Sequence, residues 1–230
     1  MNHFALSAAA AAALSASSFA DLNAYEVGYS WSGTEFGGTQ VSGYVVDLYI
    51  ELESEDNVLL NVYNTDFSSS GVSQYHQSLT AAGWAPSDQG SIFTTEASQS
   101  FDSFIAIGGV TELSSGGNPI QMSSSTPVSV DPNFGGNNAP VPGPFAGWYN
   151  ENPALEIGQV GADLLVFVGR FSVLDSAGFS LIGSVGEVTY NSGVGTSGLQ
   201  NGFTVVPIPA PGALGLLCLT GIASRRRKRS

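Results

Sequence analysis

Residues 44–51, YVVDLYIE, alternate with a period of two, and that period constrains the fold more than any other feature of the chain. Tyr44, Val46, Leu48 and Ile50 fall on one face of an extended segment; Val45, Asp47, Tyr49 and Glu51 fall on the other. Helical periodicity is nearly absent elsewhere, and Gly, Ser, Thr and Asn punctuate the chain. Further strands are expected at 22–31, 58–63, 101–108, 164–173 and 186–190, with 203–206 closing the body. The acidic stretch 53–57 reads as a turn that makes 44–51 and 58–63 a hairpin. A short helix is expected near 77–82. Residues 111–144, rich in Gly, Ser, Asn and Pro, read as one long loop. Many short strands between Gly/Ser turns predict an all-β fold, a two-layer antiparallel β-sandwich of jelly-roll type, in one domain.

Charge divides the chain sharply. All 19 acidic residues lie in the segment 21–206, against the single basic residue Arg170, so this body carries a formal −18. Such a surface repels phosphates, which argues against nucleic-acid binding and for solubility outside a cell. Cys218 is the only cysteine and lies outside the body, so no disulfide and no Cys-His zinc site can form within it.

The two ends of the chain read as addresses. Residues 4–20, FALSAAAAAALSASSFA, are apolar and alanine-rich and end in small residues around Phe19, the pattern of a signal peptide cut after Ala20 to leave Asp21 first. At the other end a proline cluster (Pro207, Pro209, Pro211) leads into an apolar run and then Arg225, Arg226, Arg227, Lys228 and Arg229. Prolines separate this tail from the body, the apolar run suits a single transmembrane helix, and the basic cluster acts as a membrane stop on the cytoplasmic side. From 213 to 224 the run has only 12 residues, short of the ~20 that span a bilayer, which favours a tail that is held and then removed.

This order of proline cluster, apolar run and terminal arginines resembles the PEP-CTERM sorting domain of bacterial surface proteins. Pro207, Ile208 and Pro209 occupy the motif, with Ile208 where the family has Glu. The resemblance implies processing by an exosortase, a membrane-embedded cysteine protease. It also implies a route through the cytoplasmic membrane to the cell surface or extracellular matrix. The body resembles a group of exported bacterial proteins of unknown function that carry the same tail, through VDLYIEL, LLNVYN, FDSFIAIGG, GW and VFVGRFSV. That likeness implies a β-sandwich and no particular reaction. The chain thus divides into a signal peptide (1–20), a β-sandwich domain (21–206) and a sorting tail (207–230).

No catalytic grouping stands out. His76 is the one histidine of the body, and no Gly-x-Ser-x-Gly elbow surrounds any serine. Phosphate-loop patterns are absent around Gly108-Gly109 and Gly135-Gly136. Asp47, Glu51, Asp102 and Glu187 are the carboxylates to weigh for glycosidase chemistry, which needs two flanking one bond. They are expected to be solvated outer-face residues. The stretches 51–57 and 131–138 hold the materials of calcium sites but match no calcium loop, so no metal and no cofactor is assigned. Trp84, Trp148 and Tyr149 sit in loop-like contexts. If exposed, they would stack on sugars and favour a carbohydrate-binding module with a polysaccharide partner; if buried, they favour a noncatalytic surface protein.

Overall fold

In a computed structural model the chain is described over residues 22–35, 37–77, 83–85, 101–108, 127–155, 157–160, 162–193 and 196–208. It is all-β. Nine strands form one nearly closed sheet: β1 (Leu22–Thr34), β2 (Gln40–Glu51), β3 (Val58–Asp66), β4 (Phe104–Ile105), β5 (Val128–Val130), β6 (Ala146–Asn150), β7 (Leu165–Leu174), β8 (Val185–Asn191) and β9 (Gly198–Val206), in the order β4-β7-β2-β1-β9-β8-β3-β6-β5. Among the described residues no helix is long and apolar enough to cross a membrane.

The longest pairing is β1 with β2, in register from Ala24↔Ile50 to Thr34↔Gln40. The turn between them closes through Glu35 N–H to Thr39 O (2.8 Å) and Gly38 N–H to Glu35 O (3.0 Å), with Gly37 and Gly38 at φ +96° and +87°. Those left-handed angles cost a glycine little.

The expected hairpin between 44–51 and 58–63 does not form. Both edges of β2 are occupied, by β1 and by β7, so β3 crosses to the far half of the sheet and pairs with β8 and β6. The turn at 53–57 therefore bridges the two halves. One pairing also departs from the expected antiparallel order: β1 and β9 run parallel, from Leu22↔Phe203 to Tyr25↔Val206. Among the described residues of the stretch expected to be loop are β5 and the 3-10 turn Pro132–Phe134, capped by the Asp131 side chain. Gly-rich composition hid them, because three residues carry too little alternation to register. Of 101–108 only Phe104–Ile105 is strand. The helix expected near 77–82 lies almost wholly outside the described residues.

The core is aromatic. Trp84, Phe134, Tyr75, Phe67, Trp148 and Phe171 form a contiguous set of ring contacts, with centroids 5.1–6.5 Å apart. Pairs at such spacing contribute about 0.5–1.5 kcal/mol each beyond the area they bury. Both buried indoles are satisfied: Trp84 Nε1–H donates to Ala139 O and Trp148 Nε1–H to Ala106 O, each at 2.8 Å. The second bond links the neighbour of one edge strand, β5, to the residue after the other edge strand, β4. It draws the two ends of the sheet together. A second, smaller cluster on the opposite face of β2 and β7 gathers Tyr49, Phe104, Ala106, Leu165 and Phe167. Segment 157–160 passes so close to β3 that a Cβ at Gly158 would collide with the Leu59 carbonyl, while Leu59 N–H bonds Gly158 O at 2.9 Å.

Replacing Trp148 with alanine removes both the packing and the bridging indole bond. We expect a loss of about 3–5 kcal/mol, read as a lower urea midpoint. Tyr149→Ala, one residue along on the exposed side of the same strand, should cost less than about 1 kcal/mol.

Candidate functional site

The residues singled out for chemistry fall at several places in the fold. Asp47 and Arg170 are register partners across β2 and β7, and both are fully buried. The guanidinium grips the carboxylate at two points, Nε to Oδ1 at 2.7 Å and Nη2 to Oδ2 at 2.9 Å. The Tyr29 hydroxyl donates to Oδ2 at 3.3 Å, and the cation lies 5.9 Å and 6.0 Å from the ring centroids of Tyr29 and Phe104. Burial alone would push Arg170 down, but the charge and hydrogen bonds of Asp47 more than offset it and hold the guanidinium above the ordinary arginine value. Both oxygens of this carboxylate are engaged inside the fold. Its role is to neutralise the body's one arginine inside the fold.

The expectation that the four carboxylates are solvated fails for two of them. Asp47 and Asp102 are fully buried; for Asp47 the reason is that its face of β2 is itself covered. Asp102 Oδ1 accepts from Ser103 N–H at 3.1 Å. Glu51 and Glu187 are at separate places on the sheet. Glu51 accepts from the Tyr25 hydroxyl at 2.8 Å; burial, then this bond and charge, push the Tyr25 phenol up to about 12. Glu187 accepts from Asn64 Nδ2 at 3.1 Å. Asp47 and Glu51 stand four residues apart on one strand, about 13 Å, beyond the spacing of a glycosidase pair.

The acidic turns are occupied by structure. Asp131 Oδ1 caps Phe134 N–H at 3.0 Å, and Asn137 Oδ1 accepts from the N–H groups of Trp84 and Ala85 at 2.8 Å each. Asn57 exchanges backbone bonds with Ser54 and Val160. Among the described residues no group of three or more His, Cys, Asp or Glu is placed to hold a metal ion. His76 is half-buried, its N–H bonded to Ser172 O at 2.7 Å.

The aromatic residues read as loop residues are elsewhere. Trp148 and Tyr149 lie in β6, and Trp84 is fully buried; with Trp31 at 6 % exposure, all three tryptophans of the chain are inside. Tyr149, at 42 %, keeps an exposed ring alone. Pro207 and Ile208 follow β9 directly and are exposed. Ala20, Asp21, Pro209, Pro211 and the cluster from Arg225 to Arg229 lie outside the described residues.

What sequence reasoning missed is a cleft of about 390 Å³ between the segment after β3 and the turn before β6. Asp66, Ser70 and Tyr75 offer polar groups to it; Phe67, Val72 and Pro144 offer apolar ones. Asp66 Oδ1 accepts from Ser68 N–H at 2.9 Å, and its bonds to Ser68 hold the carboxyl below the usual range. The Tyr75 hydroxyl lies 3.2 Å from Ser70 Oγ, and burial pushes it up to about 12. Beside the cleft Phe145 is 65 % exposed at φ +64°, its N–H bonded to Thr65 O at 3.0 Å. The proline pair flanking Gly143 was the only sequence signal of this wall. Comparison with protein-family models, curated proteins and solved structures finds no match.

Two measurements check these assignments. Arg170→Met should cost about 3–5 kcal/mol by stranding Asp47, and adding Asp47→Leu should recover most of the loss. For Tyr75 the sign follows from a phenol whose folded value, about 12, exceeds the ordinary 10.0. Stability from this group is complete below pH 10 and is lost as pH rises from 10 to 12. Denaturant titrations across that window should fall less steeply for Tyr75→Phe.

Proposed function

We propose that this chain is an exported, noncatalytic cell-surface or extracellular-matrix protein, delivered by a signal peptide (1–20) and a PEP-CTERM-like sorting tail (207–230). The observation that carries this reading is where the sheet begins and ends. The first strand starts at Leu22, one residue after Asp21, and the last ends at Val206, one residue before Pro207. Cuts after Ala20 and before Pro207 would leave β1 and β9 whole. In this reading the nearly closed sheet is a flattened two-layer sandwich of jelly-roll type, with β4-β7-β2-β1 facing β9-β8-β3-β6-β5. The −18 body repels its neighbours and keeps the released domain soluble. The clamped Asp47 and the dispersed Glu51 and Glu187 support a noncatalytic role. Its partners are an exosortase-type protease and, before cutting, the membrane.

Terminal peptides of surface-located protein test the proposal. Mass spectrometry should find Asp21 at the start and an end near the proline cluster. Intact Arg229-Ser230 on most molecules would make the tail a simple anchor, and a start at Met1 would remove the export signal. Replacing Arg225, Arg226, Arg227, Lys228 and Arg229 with neutral residues should shed the protein uncut.

A further inference from the structure

We infer that the cleft bounded by Asp66, Tyr75 and Pro144 holds one neutral sugar residue, with the exposed ring of Phe145 as its stacking platform. The inference rests on the cleft and stands apart from the export reading. It gives a carbohydrate-binding role a site different from the tryptophans on which the sequence had placed it.

The walls are built before any ligand arrives. Pro142 and Pro144 fix two φ angles of one wall, and Gly143 between them leaves no room for a Cβ, which would collide with the Asn133 carbonyl. The Pro132–Phe134 turn that supplies this carbonyl is itself capped by Asp131. The opposite wall ends on Gly71 at φ +66°, closing the Ser68–Ser70 turn through Gly71 N–H to Ser68 O. A preformed concavity loses little entropy on binding.

The chemistry of the walls selects the ligand class. Asp66 offers carboxylate oxygens that accept; the Ser70 and Tyr75 hydroxyls donate or accept. Tyr75 stays protonated at any physiological pH. Among the described residues no cation lines the cleft, and the body's one arginine is locked onto Asp47, so these walls offer phosphate, sulfate and uronate no counter-charge. One carboxylate is too few for a metal ion. What remains is a molecule with hydroxyls on its edges and C–H groups on its face. Phe67, Val72 and Pro144 would take the C–H face. The volume, near the low end of the ~300–1,000 Å³ typical of ligand sites, fits a single ring.

Phe145 supplies the second observation. A bulky residue at positive φ is a backbone outlier, costing of order 1–3 kcal/mol, and such strain gathers at binding sites. Here the strain does not serve the core, because the ring is 65 % exposed. Phe145 follows the cleft residue Pro144 directly, and its N–H is tied to Thr65, next to Asp66. Chain adjacency to Pro144 and the bond to Thr65 keep this exposed aromatic residue next to a hydroxyl-lined cleft, from where its ring would stack on a sugar bound there.

The test uses the full chain in a detergent without a sugar headgroup. The methyl glycosides of glucose, galactose, mannose and N-acetylglucosamine, with methyl glucuronide as the acidic control, are titrated by calorimetry and saturation-transfer NMR. At least one neutral glycoside should bind with a millimolar or tighter Kd, and the glucuronide should bind more weakly. Phe145→Ala should weaken binding about five- to tenfold, and Tyr149→Ala should leave it within about twofold. If Phe145→Ala does not reach the wild-type circular dichroism spectrum, Asp66→Asn decides in its place, with a loss of similar size. No binding by any of the four neutral glycosides up to about 20 mM overturns the proposal. So does binding that survives the deciding variant. Surface location, followed separately in the same cells, is untouched by either result.

Discussion

The fold depends on one aromatic mass that draws the two ends of a single sheet together. A body without cysteine cannot staple itself, and with one arginine it has little to gain from ion pairs. It must close on packing. Trp148 contributes in two ways. Its ring sits within the core beside Phe67 and Phe134, and its indole N–H bonds Ala106 beyond the opposite edge strand. The Trp84 indole ties the loops before β4 and β6 to the same mass through Ala139.

Covering both faces of β2 has an electrostatic consequence. A central strand buried on both sides cannot keep a lone carboxylate, since an unpaired buried charge is strongly unfavourable. Asp47 is tolerable because Arg170 stands opposite it in register and two rings cover the guanidinium. The same covering explains why Tyr49 and Phe167 meet on what would otherwise be a solvent face. Asp47 and Arg170 form a pair that fixes register: a slip of β2 against β7 would strand both charges.

The alternation in 44–51 made β2 and its faces legible, and the β class followed from it. What alternation could not convey was the partner of each strand. The hairpin with 58–63 was the shortest connection, yet β7, more than a hundred residues away, took that edge. Burial of Asp47 was hidden for the same reason, because one sequence does not say that the polar face is itself covered. Trp148 and Tyr149 looked like loop residues because β6 is five residues long and flanked by Pro, Gly and Asn. The cleft was invisible for a different reason. Asp66, Ser70 and Tyr75 come from one segment and Pro144 from another, and only the pairing of β3 with β6 brings them together.

The parallel pairing of β1 with β9 sets how the molecule answers to pulling. The chain enters the sheet at Leu22 and leaves it at Val206, and the two strands run side by side in the same direction. Tension on the two ends therefore tries to slide one strand past the other along their length. The backbone bonds between them are strained together rather than opened one after another from an end, so the join resists shear instead of unzipping. Because β9 also sits between β1 and β8, the last strand of the body is a middle strand of the sheet. The nine strands become continuous only after residues 198–206 have emerged and taken their place.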